Sequence, residues 1–264
     1  MVERITITMK KDMLKRIDGL VDGSDIRNRS HAIESLLAKS LSKTGLDTVL
    51  ILAGGTFNGA PKPLIPIHGR SVLEHQISLL KKYGITNVLL ATDNSRKVRE
   101  HFGDGSKLGV EITYIEDNGL GTAGPISLAK DYISSSFLLL NVDTLMNPNI
   151  HEMYDFHKKH KRLATVLLTT AADPSHYGVV TIRGTQIIKF TEKPRNSSSS
   201  LINAGLCIFD QAVVGMVPKR KMMIEELFRR LSKDEQLVGF VYDGSTFDTG
   251  TAKGYELALK EWKG

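Results

Sequence analysis

Leu50-Ile51-Leu52-Ala53-Gly54-Gly55 narrows the fold more than any other stretch of this chain. An apolar run ending in paired glycines is the pattern of a buried strand that delivers bare backbone to a phosphate. Pro61-Lys62-Pro63-Leu64-Ile65-Pro66-Ile67 follows after only Thr56-Phe57-Asn58-Gly59-Ala60. From Thr48 onward, strand and helix patterns alternate. Val49–Ala53, Val88–Ala91, Glu111–Ile115 and Phe137–Asn141 read as strands, and Val72–Tyr83, Ser95–Phe102 and Gly124–Tyr132 as helices. That rhythm predicts an α/β fold: a mostly parallel, doubly wound sheet covered on both faces, with ligands beyond the carboxyl ends of its strands.

A chain of 264 residues has room for one large unit and one small one. Its apolar runs are too short to span a bilayer, so no membrane partner is expected. Met1-Val2-Glu3-Arg4 opens no signal-peptide pattern. The single cysteine, Cys207, lies in the apolar run Leu206-Cys207-Ile208-Phe209 and reads as a buried thiol, which makes the cytoplasm the expected location. Ser197 to Ser200 reads as a mobile loop.

The net charge of +6 is unevenly spread: residues 1–44 carry nine Lys/Arg against six Asp/Glu, half the excess in one sixth of the chain. Arg4-Ile5-Thr6-Ile7-Thr8-Met9 alternates as a strand does. Two short helices follow, the first with Leu14, Ile17, Leu20 and Val21 on one face and Gly23 as its stop. The second has Asn28 as its N-cap and Ile33, Leu36, Leu37 and Leu41 at helical spacing. So small a unit cannot bury a stable core alone, and a lone strand leaves its edge unpaired. Residues 3–43 resemble the ribbon-helix-helix fold, in which two copies pair strand to strand. The resemblance implies a DNA-binding and dimerisation domain over residues 1–45, forming a homodimer or a dimer of dimers. Arg4, Thr6 and Thr8 would read base edges of duplex DNA, and backbone amides near Asn28, Arg29 and Ser30 would hold a phosphate. The plainer alternative is a dimerisation arm whose strand faces solvent. His31 receives no role.

Beyond Gly54-Gly55 and the Pro-Lys-Pro segment, several phrases follow in order. They are Gly103-Asp104-Gly105-Ser106-Lys107-Leu108-Gly109-Val110, Leu120-Gly121-Thr122-Ala123-Gly124, Leu140-Asn141-Val142-Asp143, Tyr177-Gly178-Val179-Val180, Phe190-Thr191-Glu192-Lys193-Pro194, Asn203-Ala204-Gly205 and Phe247-Asp248-Thr249-Gly250-Thr251. Together they resemble the sugar-1-phosphate nucleotidyltransferases, the family of NDP-sugar pyrophosphorylases. The resemblance implies a nucleotide-diphospho-sugar transferase fold, Rossmann-like, over residues 46–264. In that family the glycine pair leads into a longer loop that wraps the triphosphate and supplies an arginine. Here the loop is cut short and holds neither Arg nor Lys.

Asp143 follows an apolar strand, where a carboxylate is costly to bury unless it faces a cleft or a cation. Asp248 lies in a turn with Gly250. Two such carboxylates, joined by phosphate oxygens, suit Mg²⁺; the alternative is a pair of loop aspartates making turn hydrogen bonds. The family resemblance places the metal on Asp143 and Asp248 and the nucleotide on Ala53, Gly54, Gly55, Gly121 and Thr122. It gives Lys62 the nucleotide phosphates, Lys193 the sugar phosphate, and Glu192, Asn203 and Gly205 the sugar. The missing arginine makes a DNA-binding transcriptional regulator the leading expectation, its large unit sensing a nucleotide, sugar phosphate or nucleotide sugar. One alternative is an active nucleotidyltransferase, with Arg96 or Lys97 replacing the arginine and the ribbon regulating or dimerising it. Another is an inactive dimeric scaffold.

Overall fold

A computed structural model describes residues 5–21, 23, 26–41, 45–93, 95–116 and 119–264. The chain divides into two compact units, Met1–Lys43 and Thr44–Gly264. In the first, α1 (Lys11–Asp18) stops at Gly19, earlier than the expected Gly23, and α2 (Arg29–Leu41) follows. Asn28 does cap α2, its side-chain oxygen accepting from the His31 amide at 2.9 Å. Arg29 closes a two-pronged bond on Asp18 at 2.6 and 2.7 Å, which joins the two helices. The expected strand is absent among the described residues: Ile5–Lys10 lie in no sheet, and Arg4 lies outside the described residues. A strand is held by a neighbour's N–H and C=O groups, and no described part of this chain supplies them.

In the second unit, β1 (Thr48–Leu52) leads to two tight hairpins, β2 (Thr56–Phe57) with β3 (Ala60–Pro61), and β4 (Pro66–Ile67) with β5 (Arg70–Ser71). Next come α3 (Val72–Lys82), β6 (Asn87–Thr92), α4 (Ser95–Phe102), β7 (Glu111–Glu116), α5 (Gly124–Leu128), β8 (Phe137–Asn141), β9 (Thr144–Leu145) and α6 (Ile150–His160). The rest is β10 (Ala164–Thr170), β11 (Gly178–Arg183), β12 (Gln186–Glu192), β13 (Leu201–Phe209), α7 (Ile224–Lys233), β14 (Leu237–Val241), β15 (Phe247–Asp248) and α8 (Ala252–Glu261). Nine strands form one sheet in the order β10-β14-β12-β11-β13-β8-β1-β6-β7.

The expectation of a mostly parallel sheet holds for only part of it. β8, β1, β6 and β7 run parallel, but β13 reverses against β8, and β11 pairs antiparallel with β12 and β13. The physical reason is connection length. Only Gly184 and Thr185 join β11 to β12, enough for an antiparallel hairpin and far too few for a parallel crossover. The sheet is therefore mixed.

Period-two alternation splits the core between the two faces. Leu50 and Leu139 pack with Leu227, Phe228 and Leu231 of α7 on one side. Val49, Ile51, Leu138 and Leu140 pack with Leu73, Ile77 and Leu80 of α3 on the other. A third cluster, Ile65, Ile67, Val72, Phe247 and Trp262, sits beneath the hairpins and α8. Among the described residues no helix is long and apolar enough to cross a membrane.

Candidate active site

The glycine pair stands where β1 ends, beside its parallel neighbour β6. Leu52 is in register with Ala91, so Gly54 and Asp93 emerge side by side at the carboxyl end of the sheet. The Gly55 amide donates to Asp93 Oδ1 at 3.1 Å. On the other side of the pair, a Cβ on Gly55 would stand 3.6 Å from Lys62 Cε. Ala53 is fully buried, its amide donating to the Ala91 carbonyl at 2.7 Å. The shortened loop is not irregular. Asn58 and Gly59, both at positive φ, turn β2 into β3, the dipeptide that fits a two-residue hairpin. The hairpin returns the chain so that the Lys62 amide donates to the Gly55 carbonyl at 3.2 Å.

Lys62 begins a short 3-10 turn with Pro63 behind it, and its ammonium donates to Asp143 Oδ2 at 2.7 Å. Asp143 lies between β8 and β9. β9 pairs with β15, Asp248 opposite Thr144, and this short ladder sets the second carboxylate beside the first. Thr249 secures the junction: its amide and its hydroxyl both donate to the Asp143 carbonyl, at 2.7 and 2.9 Å. A Cβ on Gly250 would stand 2.9 Å from Asp143 Oδ2 and 3.2 Å from Asp248 Oδ1. Both carboxylates thus face the space that a side chain there would take.

Burial first, and then the Asp143 charge, hold the Asp248 carboxyl above its usual pKa, opposed by Gly250, Lys62 and Lys193. A half-buried carboxyl set beside a second carboxylate gains from a cation. Among the described residues no group of three or more His, Cys, Asp or Glu forms a metal cage. Two carboxylates, with phosphate oxygens and water completing the shell, fit Mg²⁺.

Lys193 sits at positive φ, its amide donating to the Tyr177 carbonyl at 3.0 Å, with its ammonium 3.8 Å from Glu192. Burial, followed by the Glu225 charge, raises the Glu192 carboxyl. Asn203 accepts from the Gly205 amide at 2.9 Å, and a Cβ on Gly205 would crowd Asn141 and Thr144 at 3.1 Å each. Gly121 and Thr122 have a structural duty as well. Gly121 lies at positive φ against the Met222 carbonyl, and the Thr122 hydroxyl accepts the Ile224 amide at the start of α7, at 2.9 Å. Of the proposed arginine substitutes, Arg96 pairs with Glu100 at 3.8 Å, and Arg96 and Lys97 are both exposed. Ser199, expected in a mobile loop, donates its hydroxyl to the Val180 carbonyl at 2.8 Å.

Sequence reasoning missed Asp93, Thr249 and Gln76. Gln76, buried on α3, points its amide nitrogen at the carbonyls of Asn141, Val142 and Thr144, at 2.9, 3.1 and 2.9 Å. It therefore grips the chain on both sides of Asp143. The Asn58-Gly59 dipeptide was a readable hairpin signal; nothing in the sequence separates Gln76 from a solvated helix residue.

A family model described as Nucleotidyl transferase matches residues 49–263. The chain belongs to that family. It is 32% identical over 203 residues to the mannose-1-phosphate guanylyltransferase catalytic subunit beta of Dictyostelium discoideum, a match spanning 74% of this chain and 56% of that protein. It is 34% identical over 222 residues to mannose-1-phosphate guanyltransferase beta-A of Xenopus laevis, spanning 78% and 62%. The chain thus spans about three fifths of the length of the curated relatives it matches. Among solved structures, a UDP-glucose pyrophosphorylase complexed with UDP-glucose superposes with a TM-score of 0.70 at 18% identity, covering 81% of this chain and 97% of that one. HddC from Yersinia pseudotuberculosis superposes with 0.69 at 22%, covering 82% and 99%. These two show the shared nucleotide-diphospho-sugar transferase fold.

Membership in the nucleotidyl transferase family, with guanylyltransferases as relatives, overturns the expectation of a DNA-binding regulator. Lys62, Asp143 and Asp248 come together without that arginine. With that expectation goes the reason for giving DNA contacts to Arg4, Thr6 and Thr8 and to the backbone amides near Asn28, Arg29 and Ser30.

Proposed function

We propose that the protein is an active sugar-1-phosphate nucleotidyltransferase, moving a nucleotidyl group from a nucleoside triphosphate to a hexose 1-phosphate. One observation carries this reading: Asp143 and Asp248 converge on the open side of Gly250, and Lys62 closes on Asp143 beside the glycine pair at the carboxyl end of β1. The names of the relatives make GTP and mannose 1-phosphate the first substrates to try. An oxygen of the sugar phosphate attacks the α-phosphorus and forms the new P–O bond. The bond from that phosphorus to the bridging oxygen breaks, and its electron pair leaves with pyrophosphate. Such chemistry demands positioning and charge neutralisation more than covalent help.

Lys62 neutralises the nucleotide phosphates from its place beside the glycine pair, and Lys193 meets the sugar phosphate. Glu192 and Asn203, with Gly205, face the sugar, and Gly121 the nucleotide. Asp143 and Asp248 would hold Mg²⁺, which when bound supplies positive charge to the phosphate oxygens. Loss of the loop arginine is expected to slow such a site by about 10²–10³-fold without removing its chemistry.

For residues 1–43 the reading is self-association of the ribbon-helix-helix kind. Among the described residues this unit buries only Ile17 and Ala32 as hydrophobics, while Ile5, Ile7, Met13, Leu20, Leu36 and Leu37 are exposed. A second copy would cover them and pair the Ile5–Met9 segment.

Pyrophosphate release across a panel of nucleoside triphosphates and sugar 1-phosphates tests the catalytic reading. Turnover with one pair, lowered at least 100-fold by Asp143→Ala, is the expected outcome; no release with any pair would end it.

A further inference from the structure

The glycine pair is already holding a carboxylate. Asp93 lies at the end of β6, and its Oδ1 accepts the Gly55 amide at 3.1 Å. The same oxygen would stand 3.7 Å from a Cβ on Gly54, so it lies over the open side of the first glycine as well. Lys62 flanks the second, its Nζ 3.9 Å from the position a Gly55 Cβ would take. A short peptide turn with an amide donor, two missing side chains and an ammonium alongside is suited to a phosphate oxygen. The oxygen that sits there belongs to the protein.

We propose that Asp93 is a specificity-determining residue that occupies the glycine turn in place of a phosphate and competes with the polyphosphate chain for the Gly55 amide. A nucleotide that uses that amide must displace the carboxylate and then tolerate its charge nearby. The cost grows with the number of phosphates that reach the turn. It therefore falls harder on a triphosphate, and on departing pyrophosphate, than on a nucleotide sugar with two phosphates. Return of Asp93 to the Gly55 amide would help to expel pyrophosphate after transfer, a step of the kind that often limits turnover.

This inference rests on the reading of the glycine turn as the seat of the nucleotide phosphates, and the test separates the two. Inorganic tripolyphosphate is titrated calorimetrically, with Mg²⁺, into the full-length protein and its Asp93→Asn and Asp93→Ala variants. Asp93→Asn keeps the size and hydrogen-bonding shape of the residue and removes the charge. It is expected to bind at least tenfold more tightly than the wild type, with the advantage shrinking as salt is added. Asp93→Ala is expected to gain affinity too, which a residue serving only the local fold would not do. Affinity unchanged or weakened in both variants, with melting temperatures preserved, would overturn the role of Asp93 and leave the turn as a phosphate site. Absence of binding to all three proteins would remove both.

Discussion

Asp248 shows how a single residue can work against the fold for the sake of chemistry. Burial and the neighbouring Asp143 raise its carboxyl above the ordinary 3.8. A carboxyl raised in the folded state binds its proton more readily folded than unfolded. Its charged form therefore costs stability above that raised value, and the cost fades as pH falls through it toward 3.8. Asp248→Asn should accordingly raise the melting temperature of the ligand-free protein near neutral pH by about 2–4 °C, the shift that roughly 1 kcal/mol gives in a domain of this size. The advantage should shrink on acidification, and activity should be lost. Mg²⁺ should raise the melting temperature of the wild type and not of the variant; scanning fluorimetry reads all three effects. Gly250→Ala tests the same space from the other side. Its methyl would press within 2.9 Å of the tip of Asp143, a flexible side chain that can move aside. The variant should fold normally and lose the Mg²⁺-dependent shift.

At the scale of elements, the candidate site depends on a helix that contributes none of its charged groups. α3 is fixed by a capping box, Ser71 and Glu74 exchanging side-chain and backbone bonds, and from it Gln76 holds the carbonyls around Asp143. Gln76→Leu would leave those buried carbonyls short of a donor, at a cost of about 1–3 kcal/mol. Because it loosens the chain around Asp143 and leaves Gly54 and Gly55 alone, kcat should fall more than KM rises if the proposed roles hold; steady-state kinetics and denaturant melts check the pair of effects. The parallel strands around β1 were legible because each is a continuous apolar run, while Lys62 between two prolines, Asp143 after an apolar strand and Asp248 in a glycine turn stood out by their setting. β9 and β15 were not legible: each is two residues long, and neither is a strand without the other. Gln76 was invisible for a related reason, since its burial comes from a loop 65 residues further along.

At the scale of the whole molecule, two compact units differ in what they bury. The larger has three hydrophobic clusters of its own. The smaller leaves Ile5, Ile7, Leu36 and Leu37 exposed, which is the pattern of a surface awaiting a partner. If the proposed self-association holds, light scattering should find a dimer or larger for the wild type and a monomer for Ile7→Glu with Leu37→Glu, with the melting of residues 44–264 left in place. An unchanged mass would remove self-association from the account. The basic excess of the small unit had pointed to nucleic acid, yet charge alone reports solubility as readily as recognition.

The central claim is that a lysine and two aspartates still run nucleotidyl transfer after the arginine-bearing loop has been cut back to a hairpin. ³¹P NMR of the full-length protein with GTP, mannose 1-phosphate and Mg²⁺ tests it most directly. The account predicts free pyrophosphate and a sugar-linked diphosphate growing together with the wild type and not with Lys62→Ala. Unchanged GTP and sugar-phosphate resonances with the wild type, extended to the other nucleoside triphosphates and hexose 1-phosphates, would contradict it.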